Sequence, residues 1–146
     1  MFENEINEQL KKVKNYDGSY AVDELKNVKL RNFPCFLTIN LGSRQSEGTH
    51  WISLAIYLNH IFVCDSLGGI NPTKTIPIDL INFLDLISIN RTLCISRQLQ
   101  PLNSKKCGNY CVLFVLEMFK HNSFSQFLSI FTHDKIKNDK IITFLS

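Results

Sequence analysis

Long apolar runs are missing from this chain of 146 residues, and no stretch approaches the roughly 18 apolar residues in a row needed to cross a bilayer. A membrane-spanning protein is therefore not expected. Paired cysteine spacing is missing as well. The five cysteines are odd in number, none stands in a CxxC pair, and Cys35 and Cys64 lie inside apolar runs. This argues against a disulfide framework and for reduced thiols in an intracellular compartment. The segment Met1-Phe2-Glu3-Asn4-Glu5 has neither a basic n-region nor an apolar h-region, so secretion is not expected. Asn90-Arg91-Thr92 matches a glycosylation sequon, which chance accounts for in a chain that is not exported. Charge of one sign is not in large excess either. The 16 basic and 13 acidic residues leave a net charge of +3, and the lysines are scattered, which describes a solvated surface.

What is present is an ordinary globular composition, 45% apolar and 20% charged, which argues against disorder. A chain of this length buries roughly 70% of its unfolded surface, enough for one core without staples, so a single domain over residues 1–146 is expected. There is no internal repeat, low-complexity tract or linker. Periodicity gives a mixed α+β order. Helical spacing runs from Glu3 to Val13, and Asp17-Gly18-Ser19 reads as the turn that ends it. Strands are expected at 36–41, 51–57 and 61–64, the last two forming a hairpin around Leu58-Asn59-His60. A helix from Ile78 to Ile89 and a strand at 93–96 follow. From Cys107 through Phe119 apolar residues cover nearly the whole circumference, the pattern of a central buried helix beside a small mixed sheet. Further helices are expected at 124–131 and 136–145.

Cys107 opens that central helix, and its surroundings fit nucleophilic catalysis. A free thiol has a pKa of about 8.5, and a helix amino terminus with a histidinium beside it can lower that by several units. Asn103 or Ser104 can cap the helix, which would put the thiol in the first turn, where unpaired N–H groups favour negative charge. Gly108 next to it leaves room for a substrate backbone. His50, at the start of a strand after a polar loop, is placed to serve as the base, and Asp65, ending the neighbouring strand, to hold its second nitrogen. Gln100 can donate to an oxyanion together with the Cys107 N–H, although Gln98, two residues earlier, competes for that role. Asp65 taken alone can equally cap the turn at Gly68-Gly69.

Other constellations are weaker. Cys111 and His121 lack zinc-ligand spacing, and Cys111 reads as core. Residues 69–75 resemble a phosphate loop only superficially, since the glycine due before Lys74 is Thr73. His60, His121 and His133 read as loop or surface residues. Lys105 and Lys106, just before the thiol, read as soluble surface unless they touch an acidic substrate.

Taken together, Gly48-Thr49-His50-Trp51, the Asp65-Ser66-Leu67-Gly68-Gly69 turn and the Gln100 to Gly108 run resemble the adenovirus maturation protease family (adenain) and, more distantly, the SUMO-deconjugating proteases. The order His, acid, Gln, Cys is that of the clan and the reverse of papain's. The resemblance spans about Phe33 to Phe119, with Phe33-Pro34-x-Phe36 at its start and an echo in residues 138–145. It implies an adenain-like fold and a thiol endopeptidase with Cys107 as nucleophile, His50 as base and later acid, Asp65 as orienting carboxylate and Gln100 as oxyanion donor. Gly48, Trp51 and Gly108 become the expected substrate contacts. Asp65 stands where the adenoviral pattern has Glu, in agreement with the SUMO branch.

The implied role is cleavage of viral capsid precursors at Gly-containing sites by a monomer in the host cytoplasm or viral factory, packaged in the virion. The abundance of Ile, Asn and Lys points to an AT-rich genome such as a virophage. No cofactor is expected. The peptide and DNA activators of the adenoviral enzymes are not carried over, because the Cys94–Gln100 segment and the chain after the Cys107 helix are shorter here; weak DNA association is the most the resemblance offers. The alternatives are a SUMO- or ubiquitin-like isopeptidase, which would need an exosite that short loops do not supply, and a silent relative that binds Gly-rich tails or DNA.

Overall fold

Apolar residues alternating along three successive segments build the centre of the protein. The computed structural model describes residues 1–42, 50–68 and 76–146. In β2 (Cys35–Asn40), β3 (Trp51–Ile56) and β4 (His60–Cys64), successive side chains turn to opposite faces of one sheet. Phe36, Ala55 and Cys64 enter the core on one face, and Leu37, Ile39, Leu54, Ile61 and Val63 the core on the other. With cores on both faces, every residue of β2 is buried.

The sheet has five strands in the order β1-β2-β3-β4-β5, where β1 is Tyr16–Ala21 and β5 is Thr92–Ile95. The three central strands are antiparallel, and each edge strand runs parallel to its neighbour. α1 (Glu3–Leu10), α3 (Cys107–His121), α4 (Phe124–Leu128) and α5 (Lys135–Leu145) pack on one face; a short 3-10 segment, Val22–Asn27, and α2 (Ile78–Ile87) cover the other. This is the expected α+β fold, a small mixed sheet packed by helices. No residue of α3 from Cys107 to Met118 is fully exposed, as its all-round apolar pattern requires. Among the described residues no helix is long and apolar enough to cross a membrane.

The turn expected at Asp17-Gly18-Ser19 is instead part of β1. Its pairing with β2 slips between Tyr16 and Gly18, which leaves Asp17 as the extra residue of a bulge. Gly18, with φ of +131°, supplies the backbone that the bulge needs, so the glycine kinks a strand here and does not end a helix. The other boundaries shift by a few residues: α2 stops at Ile87, ahead of Asn90 in a left-handed conformation, and α4 stops at Leu128.

Candidate active site

The β3–β4 hairpin and the start of α3 meet at one end of the sheet. Ser53 pairs with Cys64, so Asp65 leaves β4 beside the residues that enter β3, and His50 sits just ahead of that strand. The main chain of His50 is pinned to the sheet by Leu41, whose N–H donates to the His50 carbonyl at 2.9 Å. α3 packs across β3 and brings Cys107, its first residue, to the same corner.

Three of the sequence-predicted residues come together there. His50 Nε2 lies 2.7 Å from Asp65 Oδ1, both residues being buried at 7% and 8% exposure. The same carboxylate oxygen accepts the Leu67 N–H at 3.1 Å, so Asp65 orients the histidine and caps its own turn at once. With Nε2 engaged by Asp65, Nδ1 is the ring nitrogen left for the Cys107 thiol, to which His50 is also hydrogen-bonded. The Trp51 backbone N–H donates to Cys107 Sγ at 3.4 Å.

The electrostatics follow from these contacts. Burial on its own would push the His50 imidazole down, but the hydrogen bonds and charges of Asp65 and Cys107 outweigh it and raise the pKa to about 9. For Cys107 burial pushes the thiol up, yet the hydrogen bond from His50, the Trp51 N–H, the imidazolium charge and the Gly108 N–H together bring it below its ordinary value. Both shifts favour a thiolate–imidazolium pair at neutral pH. The buried thiols of the core behave oppositely: desolvation raises Cys35 to about 11 and holds Cys64 and Cys111 well above the ordinary range, so all three are neutral packing groups.

The helix start differs from expectation. Neither Asn103 nor Ser104 is the N-cap; Lys106 occupies that position without a side-chain cap bond. Ser104 instead turns the loop, its N–H donating to the Pro101 carbonyl at 3.0 Å and its hydroxyl accepting the Lys106 N–H at 3.2 Å.

Gln100 is completely buried. Its Nε2 donates to the Ser104 carbonyl at 3.0 Å, and its Oε1 accepts from the Ser66 hydroxyl. A carbonyl only accepts, so the amide nitrogen must face Ser104 and the amide oxygen must face Ser66. One Nε2 hydrogen is thereby used. Gln98, the competing residue, is partly buried, and its Nε2 donates to the Gln100 carbonyl at 3.0 Å.

Of the expected substrate contacts, Gly48 lies outside the described residues. Trp51 is half-buried against the α3-side core. Gly108 is buried, and a Cβ placed there would lie 2.8 Å from the Met1 Cβ, so a side chain at this position would collide with Met1. Sequence reasoning missed the Trp51 backbone donor, the Ser66 hydroxyl and Ser96. Ser66 lies inside the motif already singled out, whereas nothing local marks Ser96.

No protein-family model matches the chain. No curated protein does so either. Solved structures do resemble it, two of them as follows. The ASFV pS273R protease is 16% identical, with a TM-score of 0.48 over 75% of this chain and 44% of that one. ChlaDub1 from Chlamydia trachomatis is 14% identical, with a TM-score of 0.46 over 99% of this chain and 75% of that one. The chain thus spans less than half the length of the first. Likenesses this remote carry no weight on the chemistry, which rests on the geometry of the site.

Proposed function

We propose that the chain is a cysteine endopeptidase of the adenain-like kind, acting through an acyl-enzyme at Cys107. The observation that carries this reading is the contact series Asp65–His50–Cys107, with Nε2 held at 2.7 Å and the sulfur receiving the Trp51 N–H. A structural cysteine has no need of an imidazole that is itself oriented by a buried carboxylate.

In this reading the Cys107 thiolate attacks the scissile carbonyl carbon, forming the C–S bond and placing negative charge on the carbonyl oxygen. The Cys107 N–H and the second Nε2 hydrogen of Gln100 receive that oxyanion. As the intermediate collapses, imidazolium His50 gives its Nδ1 proton to the departing amine, and the C–N bond breaks. Water then enters, His50 takes one of its protons, and hydroxide attack on the thioester releases the acid and restores the thiolate. Asp65 keeps the ring oriented throughout and stabilises its charged form.

The proposed substrates are viral capsid precursors cut at Gly-containing sites, from a virophage or related genome, with the enzyme acting as a monomer in the viral factory and carried in the virion. Support for this finer part comes from the sequence motifs alone. One assay tests it. The protein and its Cys107→Ala variant are incubated with the precursors of the same genome, a Gly-Gly peptide and a SUMO fusion. Thiol-dependent cleavage of the precursors alone supports the proposal, and processing of the fusion shifts it to an isopeptidase. Absence of any cleavage, with iodoacetamide failing to single out Cys107, overturns both and leaves a binding protein.

A further inference from the structure

Asp65 leaves β4 where its ladder with β5 runs out. Ser96 stands just after β5 and extends that ladder by one bond, its N–H donating to the Val63 carbonyl at 2.9 Å. Beyond it β5 offers Asp65 no further main-chain partner among the described residues; the main-chain bond that Asp65 does receive is local, the Gly68 N–H of its own turn donating to its carbonyl at 2.9 Å. In place of a strand partner the Ser96 hydroxyl accepts the Asp65 N–H at 3.0 Å and donates to the Asp65 carbonyl at 2.9 Å. A single buried hydroxyl thereby takes over both bonds that a strand partner would make, and leaves the chain free to turn at once.

Among the described residues the side chain of Asp65 is met, through Oδ1, by the Leu67 N–H of its own turn at 3.1 Å and by His50 Nε2, the group it serves, at 2.7 Å. The position of the carboxylate therefore follows from where the Asp65 backbone is held. We propose that Ser96 is a positioning residue of the active site, whose hydroxyl fixes the Asp65 main chain so that the carboxylate stays within hydrogen-bond reach of His50. The inference rests on the protease reading, because it gives Ser96 a role only through the triad.

The consequence is electrostatic. The titratable groups facing His50 among the described residues are Asp65, from the turn after β4, and Cys107, from α3. Cys64 and Cys111 feel both Asp65 and Cys107 but are held neutral by burial. If the carboxylate drifts, His50 loses the hydrogen bond and charge that favour its protonated form, and Cys107 in turn loses the cation that favours its thiolate.

The test needs no substrate. Alkylation of Cys107 by iodoacetamide, located by peptide mass mapping, is followed against pH for wild type, Ser96→Ala, Ser96→Thr and Asp65→Asn, alongside an NMR titration of His50. In folded Ser96→Ala the His50 titration is expected to fall by about one pH unit, and the neutral-pH alkylation rate by about 10-fold, with Asp65→Asn at least as affected. Ser96→Thr, which keeps the hydroxyl, is expected to follow wild type. Should the Ala variant not fold, Ser96→Cys, which keeps the shape but weakens both bonds, is expected to show the same two changes in smaller degree. A Ser96→Ala or Ser96→Cys profile that superimposes on wild type overturns the role of Ser96 and leaves the protease reading standing. A wild-type Cys107 that shows no enhanced reactivity at neutral pH overturns the protease reading, and the positioning role falls with it.

Discussion

The backbone N–H of Trp51 donates to the sulfur of Cys107 across 3.4 Å, joining residues 56 positions apart. The residue after the candidate base thus helps to stabilise the thiolate that the base protonates and deprotonates. No side-chain substitution at Trp51 removes this donor. Replacing Trp51 with Phe is expected to leave Cys107 alkylation at neutral pH within about 3-fold of wild type, since the amide and the aromatic packing both remain. A Cys107 that becomes unreactive in the variant would show that the indole itself, and not the amide, supports the thiolate.

Cys107→Ala is expected to abolish cleavage, a loss of at least about 10³-fold, while the folded protein persists, because its sulfur is only partly buried at the helix start. Circular dichroism and peptide turnover measured on one preparation check both halves. Residual thiol-independent turnover close to the wild-type rate would rule Cys107 out as the nucleophile.

The pH dependence has a definite sign. The His50 pKa is raised from 6.5 to about 9, so its contribution to stability is complete below 6.5 and is lost as pH rises through about 9. The Cys107 pKa is lowered from 9.0, so its contribution is present above that value and is lost as pH falls through the lowered one. The ion pair, and with it kcat/KM, should be at full strength between the lowered Cys107 value and about 9, declining on either side. Thiolate ultraviolet absorbance against pH, with Cys107→Ala as the blank, reports the pair without a substrate. A single transition near the free-thiol value would contradict it.

Legibility differed from element to element for physical reasons. Local signals carried far: the all-round apolar face of α3, the hairpin of β3 and β4, and His50, Asp65 and Cys107 at element ends were all read where the structure puts them. What stayed hidden depends on partners distant in sequence. Gly18 serves a turn or a bulge equally well, and only pairing with β2 decides for the bulge. Ser104 has a good capping side chain, but the turn from Pro101 directs it to Lys106 before the helix begins. The hydroxyl of Ser96 meets Asp65, 31 positions away, and a serine just past the end of a strand gives no notice of such a partner.

The orientation of Gln100 leads to a kinetic prediction. Ser66→Ala removes the donor to Oε1 and leaves that buried oxygen unpaired, so the amide loses one of the two bonds that fix its orientation. An oxyanion is bound only in the transition state, so kcat should fall about 10-fold with KM nearly unchanged, and Gln100→Ala should lower kcat by about 10²-fold or more. Adding Ser66→Ala to Gln100→Ala should then cost little further, because the hydroxyl acts through the amide. Independent, additive losses would place Ser66 in a different role.

Thr38 and Ser53 face each other across β2 and β3, both fully buried on the α3 side of the sheet, and their hydroxyls are treated unequally. Thr38 Oγ1 is bonded to the Tyr16 hydroxyl at 2.9 Å and to Ser19 Oγ at 2.6 Å, in a network that Asn7 completes. Among the described residues Ser53 Oγ has no nitrogen or oxygen partner, and the neutral thiols of Cys64 and Cys111 beside it are weak partners. Thr38→Val keeps the shape but strips the half-buried hydroxyls of Tyr16 and Ser19 of one partner each, and should cost about 1–3 kcal/mol. Ser53→Ala removes a group that has already lost its water and gained little in return, and should change stability by less than about 1 kcal/mol in either direction. Urea denaturation of the two variants separates these outcomes. A Ser53→Ala loss as large as that of Thr38→Val would show that the Ser53 hydroxyl is bonded in solution, and Cys64 and Cys111 would be the groups to examine.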